Sequence, residues 1–193
     1  MPDSEPSKDL LPVLSSIAAW FNETKVPYAI IGGAAIGLIA QPRATQDVDA
    51  VAWLDLDNAA EFLNFGEHFG FVPRVSDPLE FARESRVLLI RHAETNINVD
   101  ISCGVLSFEQ EMIERSVEFK TGELTLKVAS PDDLIITKAI AHRRRDLIDI
   151  DSLLDIYPDL DLSRVRRWVK EFAAVLEMPE LVSDLEKLLK DRR

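Results

Sequence analysis

The stretch from Ile30 to Val51, Ile-Ile-Gly-Gly-Ala-Ala-Ile-Gly-Leu-Ile-Ala-Gln-Pro-Arg-Ala-Thr-Gln-Asp-Val-Asp-Ala-Val, leaves the chain few ways to fold. Tyr28 to Ile31 is short, apolar and β-rich, and it runs into the glycine pair Gly32-Gly33. Ala34 to Ala40 is a short helical run that Gln41-Pro42 ends. The order predicted is strand, tight glycine turn, helix. Asp47 to Leu54 predicts a second strand, on which side chains at i and i+2 share a face, so Asp47 and Asp49 project together. Two carboxylates side by side repel, and a half-buried sheet tolerates them only with a cation to neutralise them. A divalent metal is one such cation. The glycine turn has two readings: a bare strand end, or a row of backbone N–H groups suited to phosphate oxygens.

The rest of the chain is laid out around this stretch. Leu10, Leu11, Leu14, Ile17, Ala18 and Phe21 recur at helical spacing, with Ser7 as the cap, so an amphipathic helix opens the chain over Ser7 to Phe21. Asp55 to Asn58 turns into a helix through His68, with an apolar stripe of Ala59, Phe62, Leu63 and Phe69. Phe71-Val72 begins a strand, Asp77 to Arg83 is a brief helical turn, and Arg86 to Arg91 is an apolar strand. In Ile97 to Ser102 the apolar residues alternate with Asn98, Asp100 and Ser102, which makes Asp100 a third strand carboxylate that sheet pairing can bring beside Asp47 and Asp49.

After Asp100 the pattern changes. A helix near Phe108 to Arg115 precedes a hairpin, Val117 to Lys120 and Leu124 to Val128, turned at Thr121-Gly122-Glu123. Ser130-Pro131-Asp132-Asp133 combines a capping serine, proline in the first turn and acids at the positive end of the dipole, a strong helix start. Helices follow to Arg143, from Arg145 to Tyr157, from Asp161 to Glu177 and from Pro179 to Lys190. The expected division is a core over residues 1–129 and a helical region, packed on it, over residues 130–193.

Composition narrows the function classes. The chain has 193 residues, 47% hydrophobic and 29% charged, which suits a globular protein with a sizeable core. A net charge of −12 argues against coating duplex nucleic acid through an overall field, and leaves room for a local basic patch. The one cysteine, Cys103, excludes an internal disulfide and a cysteine-based zinc site, and no histidine stands near it in sequence to make it a nucleophile. The amino terminus lacks the basic start and apolar run of a signal peptide, and no apolar run reaches the roughly 20 residues of a membrane span. A cytoplasmic protein with no membrane partner is expected.

Taken together, Gly32-Gly33, Arg43, Thr45, Asp47-Val48-Asp49 and Asp100 resemble the nucleotidyltransferase fold of the DNA polymerase beta superfamily. Within it, Ile-Ile-Gly-Gly-Ala-Ala followed by Arg-Ala-Thr-Gln-Asp-Val-Asp is most similar to the abortive-infection AbiEii-like nucleotidyltransferases, which include toxins of toxin–antitoxin systems. Lys138, with Asp146 eight positions on, matches a lysine and aspartate of those families. The resemblance spans Tyr28 to Leu154. It implies an α+β fold, a small mixed β-sheet flanked by helices with a helical carboxyl-terminal part. It implies an enzyme that moves a nucleoside monophosphate from an NTP to a hydroxyl. Asp47, Asp49 and Asp100 would hold Mg²⁺ or Mn²⁺, with Asp100 either completing the metal site or serving as general base. Gly32, Gly33, Arg43, Thr45, Lys138 and Asp146 would meet the nucleotide, although Gly33 stands where many members have serine.

Blander readings stand beside these. Arg43 is either a phosphate contact or a surface residue paired to an aspartate, and Lys138 is either a phosphate point charge or an exposed helix lysine. His142-Arg143-Arg144-Arg145 with Arg164, Arg166 and Arg167 is a solvated helix end or an RNA or triphosphate contact; Asp146, Asp149 and Asp151 are expected to pair with these arginines. The acceptor is a tRNA end, a protein side chain or a small molecule of the aminoglycoside kind, and a toxin would bring an antitoxin partner. The rival from another class is a catalytically silent binding or antitoxin-like module.

Overall fold

A computed structural model describes residues 10–41 and 45–190; the expected Ser7 cap and Arg43 lie outside them. The chain divides into two compact units, Met1–Ala129 and Ser130–Arg193.

The first unit is built on a seven-stranded mixed sheet in the order β3-β4-β5-β2-β1-β7-β6. Its strands are β1 (Tyr28–Ile31), β2 (Asp47–Ala52), β3 (Phe71–Pro73), β4 (Val87–His92), β5 (Asn98–Cys103), β6 (Val117–Thr121) and β7 (Leu124–Val128). Its helices are α1 (Leu10–Thr24), α2 (Gly32–Ile39), α3 (Ala59–His68), α4 (Pro78–Ser85) and α5 (Ser107–Glu114). The central strands β2 and β5 run parallel, and β1 is antiparallel to β2. The outer pairs β3·β4, β4·β5 and β6·β7 are antiparallel.

The core lies where α1 and α3 bring aromatic rings together. Trp20 stacks on Phe62 at 4.2 Å and on Phe71 at 5.1 Å, and its indole N–H donates to the Phe62 carbonyl at 3.1 Å, so the one polar atom of a fully buried ring is satisfied. Gly66 on α3 lies against that indole: a Cβ there would meet Trp20 Cζ2 at 2.7 Å. Absence of a side chain at Gly66 is what lets the helix approach the ring.

Boundaries differ from the sequence expectation where tertiary pairing decides them. Helix α2 opens on the glycine pair itself rather than at Ala34, with no turn between it and β1. Strand β2 stops at Ala52, because its neighbour β1 begins at the paired Tyr28, and Trp53 N–H instead bonds the Pro27 carbonyl at 2.8 Å. The expected brief turn after Asp77 is a full helix, α4: the Asp77 carboxylate accepts the Glu80 N–H at 3.0 Å, Pro78 opens the first turn, and Arg86 at φ +61° ends it.

The second unit contains α6 (Pro131–Ala141), α7 (Arg144–Ile156), α8 (Leu162–Val175) and α9 (Glu180–Lys190). Ser130 caps α6 as its sequence predicts, accepting the Asp133 N–H at 3.2 Å and donating its hydroxyl to Asp133 Oδ2 at 2.8 Å. His142 at φ +52° ends α6. Among the described residues no helix is long and apolar enough to cross a membrane.

Candidate active site

Sheet register builds the site. Asp49 lies directly opposite Asp100 on the parallel neighbour β5 and opposite Ile31 on β1. Asp100 in turn faces Leu89 on β4, and the Arg74 N–H, just past the end of β3, donates to the Leu89 carbonyl at 2.9 Å. Leu89, Asp100, Asp49 and Ile31 therefore form one row across four strands, extended by Arg74 just beyond β3, and residues paired in a row share a face. Asp47, two residues before Asp49, is on that face too, and the burial pattern of β2 keeps Asp47 exposed and Asp49 half-buried while Val48 and Ala50 are buried.

The neighbouring groups fix these carboxylates. The Thr45 hydroxyl donates to Asp47 Oδ1 at 2.9 Å, with the Asp47 carbonyl at 3.1 Å as its second acceptor, so Thr45 tethers Asp47. Gly32 sits at φ +68°, a left-handed conformation glycine adopts without strain, and the Asp49 carboxylate fills the space its missing side chain leaves: a Cβ would be 2.0 Å from Asp49 Oδ2. The backbone at the start of α2 thus touches the carboxylate end of β2. Helix α2 has no side-chain cap, so its first N–H groups are not covered by one.

Asp100 carries an ion pair with the Arg74 guanidinium, both side chains partly exposed. Burial pushes the Asp100 carboxyl above the ordinary carboxylate range, Arg74 works against that shift, and the charge of Asp47 adds to it. Asp47 is thus close enough to Asp100 for its charge to be felt there.

Three oxygen-bearing carboxylates at one end of a sheet are the donor chemistry of a hard divalent cation. Among the described residues, no group of three or more His, Cys, Asp or Glu is gathered tightly enough to enclose an ion. That arrangement still fits Mg²⁺, which is ordinarily held by one or two carboxylates together with substrate phosphates and water rather than by an all-protein cage. Of the three carboxylates, Asp100 is the one that carries the Arg74 ion pair.

The other candidates are placed as follows. Lys138 is 4% exposed, not the exposed helix lysine of one reading, and its ammonium bonds Asp146 at 3.0 Å and Asp149 at 2.9 Å. Asp146, fully buried, also accepts from Arg143 at 2.6 Å. Burial pushes its carboxyl up, but hydrogen bonds from Arg143 and Lys138 outweigh this and hold it below the ordinary range. Arg164 pairs with Asp133 at 2.8 Å and Arg166 with Glu186 at 2.6 Å, so three arginines of the basic feature are engaged by carboxylates of their own unit. Asp149 pairs with Lys138, since α7 turns it to the same side as Asp146. Cys103 is buried and its thiol is pushed up to about 11 by that burial.

Arg74 was not among the residues singled out by sequence. It follows a three-residue strand in an unremarkable Pro-Arg-Val, and only the pairing of Pro73 with Ile90 puts it in the carboxylate row.

Solved structures of nucleotidyltransferases share this fold. The chain is similar to an antigenic nucleotidyltransferase-like protein from Paracoccidioides brasiliensis at 20% identity, with TM-score 0.54 and 94% of each chain covered. It is also similar to the antibiotic-resistance factor ANT(2'')-Ia at 14% identity, with TM-score 0.58 and 91% of this chain and 97% of that one covered. A third is the lincomycin-bound lincosamide antibiotic adenylyltransferase LnuA, at 16% identity and TM-score 0.52, covering 80% of this chain and 100% of that one. No curated protein sequence matches. Residues 8–186 match the family described as nucleotidyltransferase of unknown function (DUF6036), and the chain belongs to that family.

Proposed function

We propose that the Asp47, Asp49 and Asp100 end of the sheet binds a nucleoside triphosphate with a divalent metal and transfers its nucleoside monophosphate to a hydroxyl. The observation that carries this is the register pairing of Asp49 with Asp100, with Asp47 on the same face. An acceptor oxygen forms a bond to the α-phosphorus while the bond from that phosphorus to the bridging oxygen breaks, and pyrophosphate leaves. The acceptor's proton passes to Asp100 where that carboxylate is not itself a metal ligand, and otherwise to solvent. Mg²⁺ or Mn²⁺ held by Asp47, Asp49 and Asp100 would neutralise the phosphate charge.

The chain's own groups supply the rest. Thr45 orients Asp47, Gly32 seats Asp49, and the N–H groups opening α2 at Gly32 and Gly33 suit phosphate oxygens. Lys138 and Asp146 enter this reading as a brace of the helical unit, because a phosphate would have to displace two carboxylates from Lys138.

A small-molecule hydroxyl is the acceptor class we favour. Three arginines of the basic feature, Arg143, Arg164 and Arg166, are engaged by carboxylates of their own unit, and the chain's net charge is −12, both of which weaken the case for an RNA acceptor. Structures of this fold include one bound to lincomycin and one with adenylyl-2''-tobramycin, the latter similar at TM-score 0.51 and 12% identity. The toxin-type kinship, with a tRNA end as acceptor and an antitoxin partner, is the second arm of the test. The protein is incubated with α-labelled NTPs, Mg²⁺ or Mn²⁺, and either aminoglycosides and lincosamides or total tRNA. Label on a small molecule, abolished by Asp49→Asn, is the expected result. Label on tRNA moves the acceptor to the toxin type. Absence of metal-dependent NTP binding overturns the enzymatic reading in favour of a silent binding module.

A further inference from the structure

Arg74 and Asp100 lie two strands apart in the same cross-strand row, with Leu89 between them. Strand spacing separates their backbones by roughly 10 Å, a span only a long side chain bridges. The Arg74 backbone is pinned to Leu89 by its N–H bond, and its guanidinium is laid across the row onto Asp100. Asp100 is the carboxylate paired in register with Asp49, so the guanidinium holds one of the carboxylates that a divalent cation would use. Both side chains are partly exposed, at 25% and 40%, so the pair is exchangeable rather than locked in the core.

On this basis we infer that Arg74 is a partner-exchanging positioning residue: it neutralises Asp100 in the empty site, yields Asp100 to the divalent metal, and then takes a phosphate oxygen of the nucleotide. The inference rests on the nucleotidyltransferase reading of the same carboxylates and adds to it a residue outside the motif. A planar guanidinium suits both partners, since carboxylate and phosphate each match its fork of N–H donors. No charge is created or lost in the exchange. The metal replaces one cation on Asp100 while the freed cation meets the anion that arrives with the metal.

Such an exchange has a signature that a structural role lacks, namely opposite effects on two binding equilibria. Mn²⁺ binding is measured by paramagnetic resonance of free Mn²⁺, first with the metal alone and then with Mn²⁺ and a non-hydrolysable ATP analogue whose own binding is followed by calorimetry. Arg74→Gln removes the competing cation, so affinity for Mn²⁺ alone rises by about two- to five-fold, the range that a partly exposed ion pair represents. The same variant loses about ten-fold in affinity for the metal–nucleotide complex, the loss of one charge-assisted fork. Arg74→Lys keeps the charge without the fork and falls between wild type and Arg74→Gln in both measurements. Asp100→Asn abolishes the gain in metal affinity when combined with Arg74→Gln. If Arg74→Gln leaves either affinity unchanged, or moves both in the same direction, the inference is wrong while the nucleotidyltransferase reading stands. A wild-type protein that binds Mn²⁺ neither alone nor with nucleotide overturns both. Melting curves confirm that each variant is folded.

Discussion

Asp49 Oδ2 occupies the volume that a side chain on Gly32 would need: a Cβ built there lies 2.0 Å from that oxygen, at a backbone φ of +68°. Gly32→Ala therefore meets two penalties together, a left-handed conformation and a clash with a carboxylate on a central strand. We expect a loss of roughly 2–4 kcal/mol in stability, from strain and overpacking combined. We also expect metal-dependent nucleotide binding to fall by more than ten-fold, because Asp49 must move. Gly122→Ala is the control, since its φ of +55° carries the strain but nothing lies within 4 Å of the added atom. Urea unfolding and calorimetry with nucleotide and Mn²⁺ check both.

Lys138 is a buried cation with two carboxylate partners. Lys138→Met leaves Asp146 and Asp149 facing each other without it. Removing one member of a buried ionic cluster costs roughly 3–5 kcal/mol, so urea denaturation should show a loss of that order. A drop below 1 kcal/mol would mean that the ion pairs are not a brace.

Asp146 links this cluster to pH. Its folded-state pKa lies below the ordinary value, so between that value and the unfolded one, near 3.9, the unfolded chain binds the extra proton. Stability from the pair is therefore complete above the unfolded pKa and is lost as pH falls through the folded one. Asp146→Asn is expected to lower stability at pH 7 by roughly 3 kcal/mol. The gap to wild type should narrow as the pH falls below about 4. Thermal melts from pH 7 to pH 3 read the convergence, and a constant gap would refute it.

Cys103 offers a probe of opening. With its thiol pushed up to about 11, roughly one molecule in a thousand is thiolate at pH 8, and the sulfur is also covered. Ellman's reagent should leave the native protein unmodified over hours and react within seconds in denaturant. Rapid modification under native conditions would show that β5 opens locally.

Gly66 reverses a familiar rule. Glycine to alanine inside a helix ordinarily stabilises by up to about 1 kcal/mol. At Gly66 the added carbon would lie 2.7 Å from Trp20 Cζ2, within a ring held between Phe62 and Phe71. Gly66→Ala should instead destabilise by roughly 1–3 kcal/mol, with a change in the near-ultraviolet dichroism of the indole.

Much of this was readable from the chain because the signals are local. Alternation placed Asp47 and Asp49 on one face and Asp100 on its own strand, and the Ser130-Pro131 start of α6 is a cap whose chemistry needs no tertiary partner. Other features depend on which strands become neighbours. That Asp49 sits opposite Asp100 is a matter of register between distant segments, and Arg74 joins them only because β3 pairs with β4 in one particular alignment. The fate of Lys138 was obscure for a different reason. A lysine on a helix reads as exposed unless the acids that bury it are known to lie on a facing helix, and Asp149 is not at a spacing that announces this.

Strand β3 forms one margin of the sheet, is three residues long and ends in Pro73, which has no N–H to offer another strand. A margin so short and so capped is a poor template for edge-to-edge addition. The chain is thereby protected from aggregating along the side that carries Arg74, and that side keeps its access to solvent without the insulation of a covering strand.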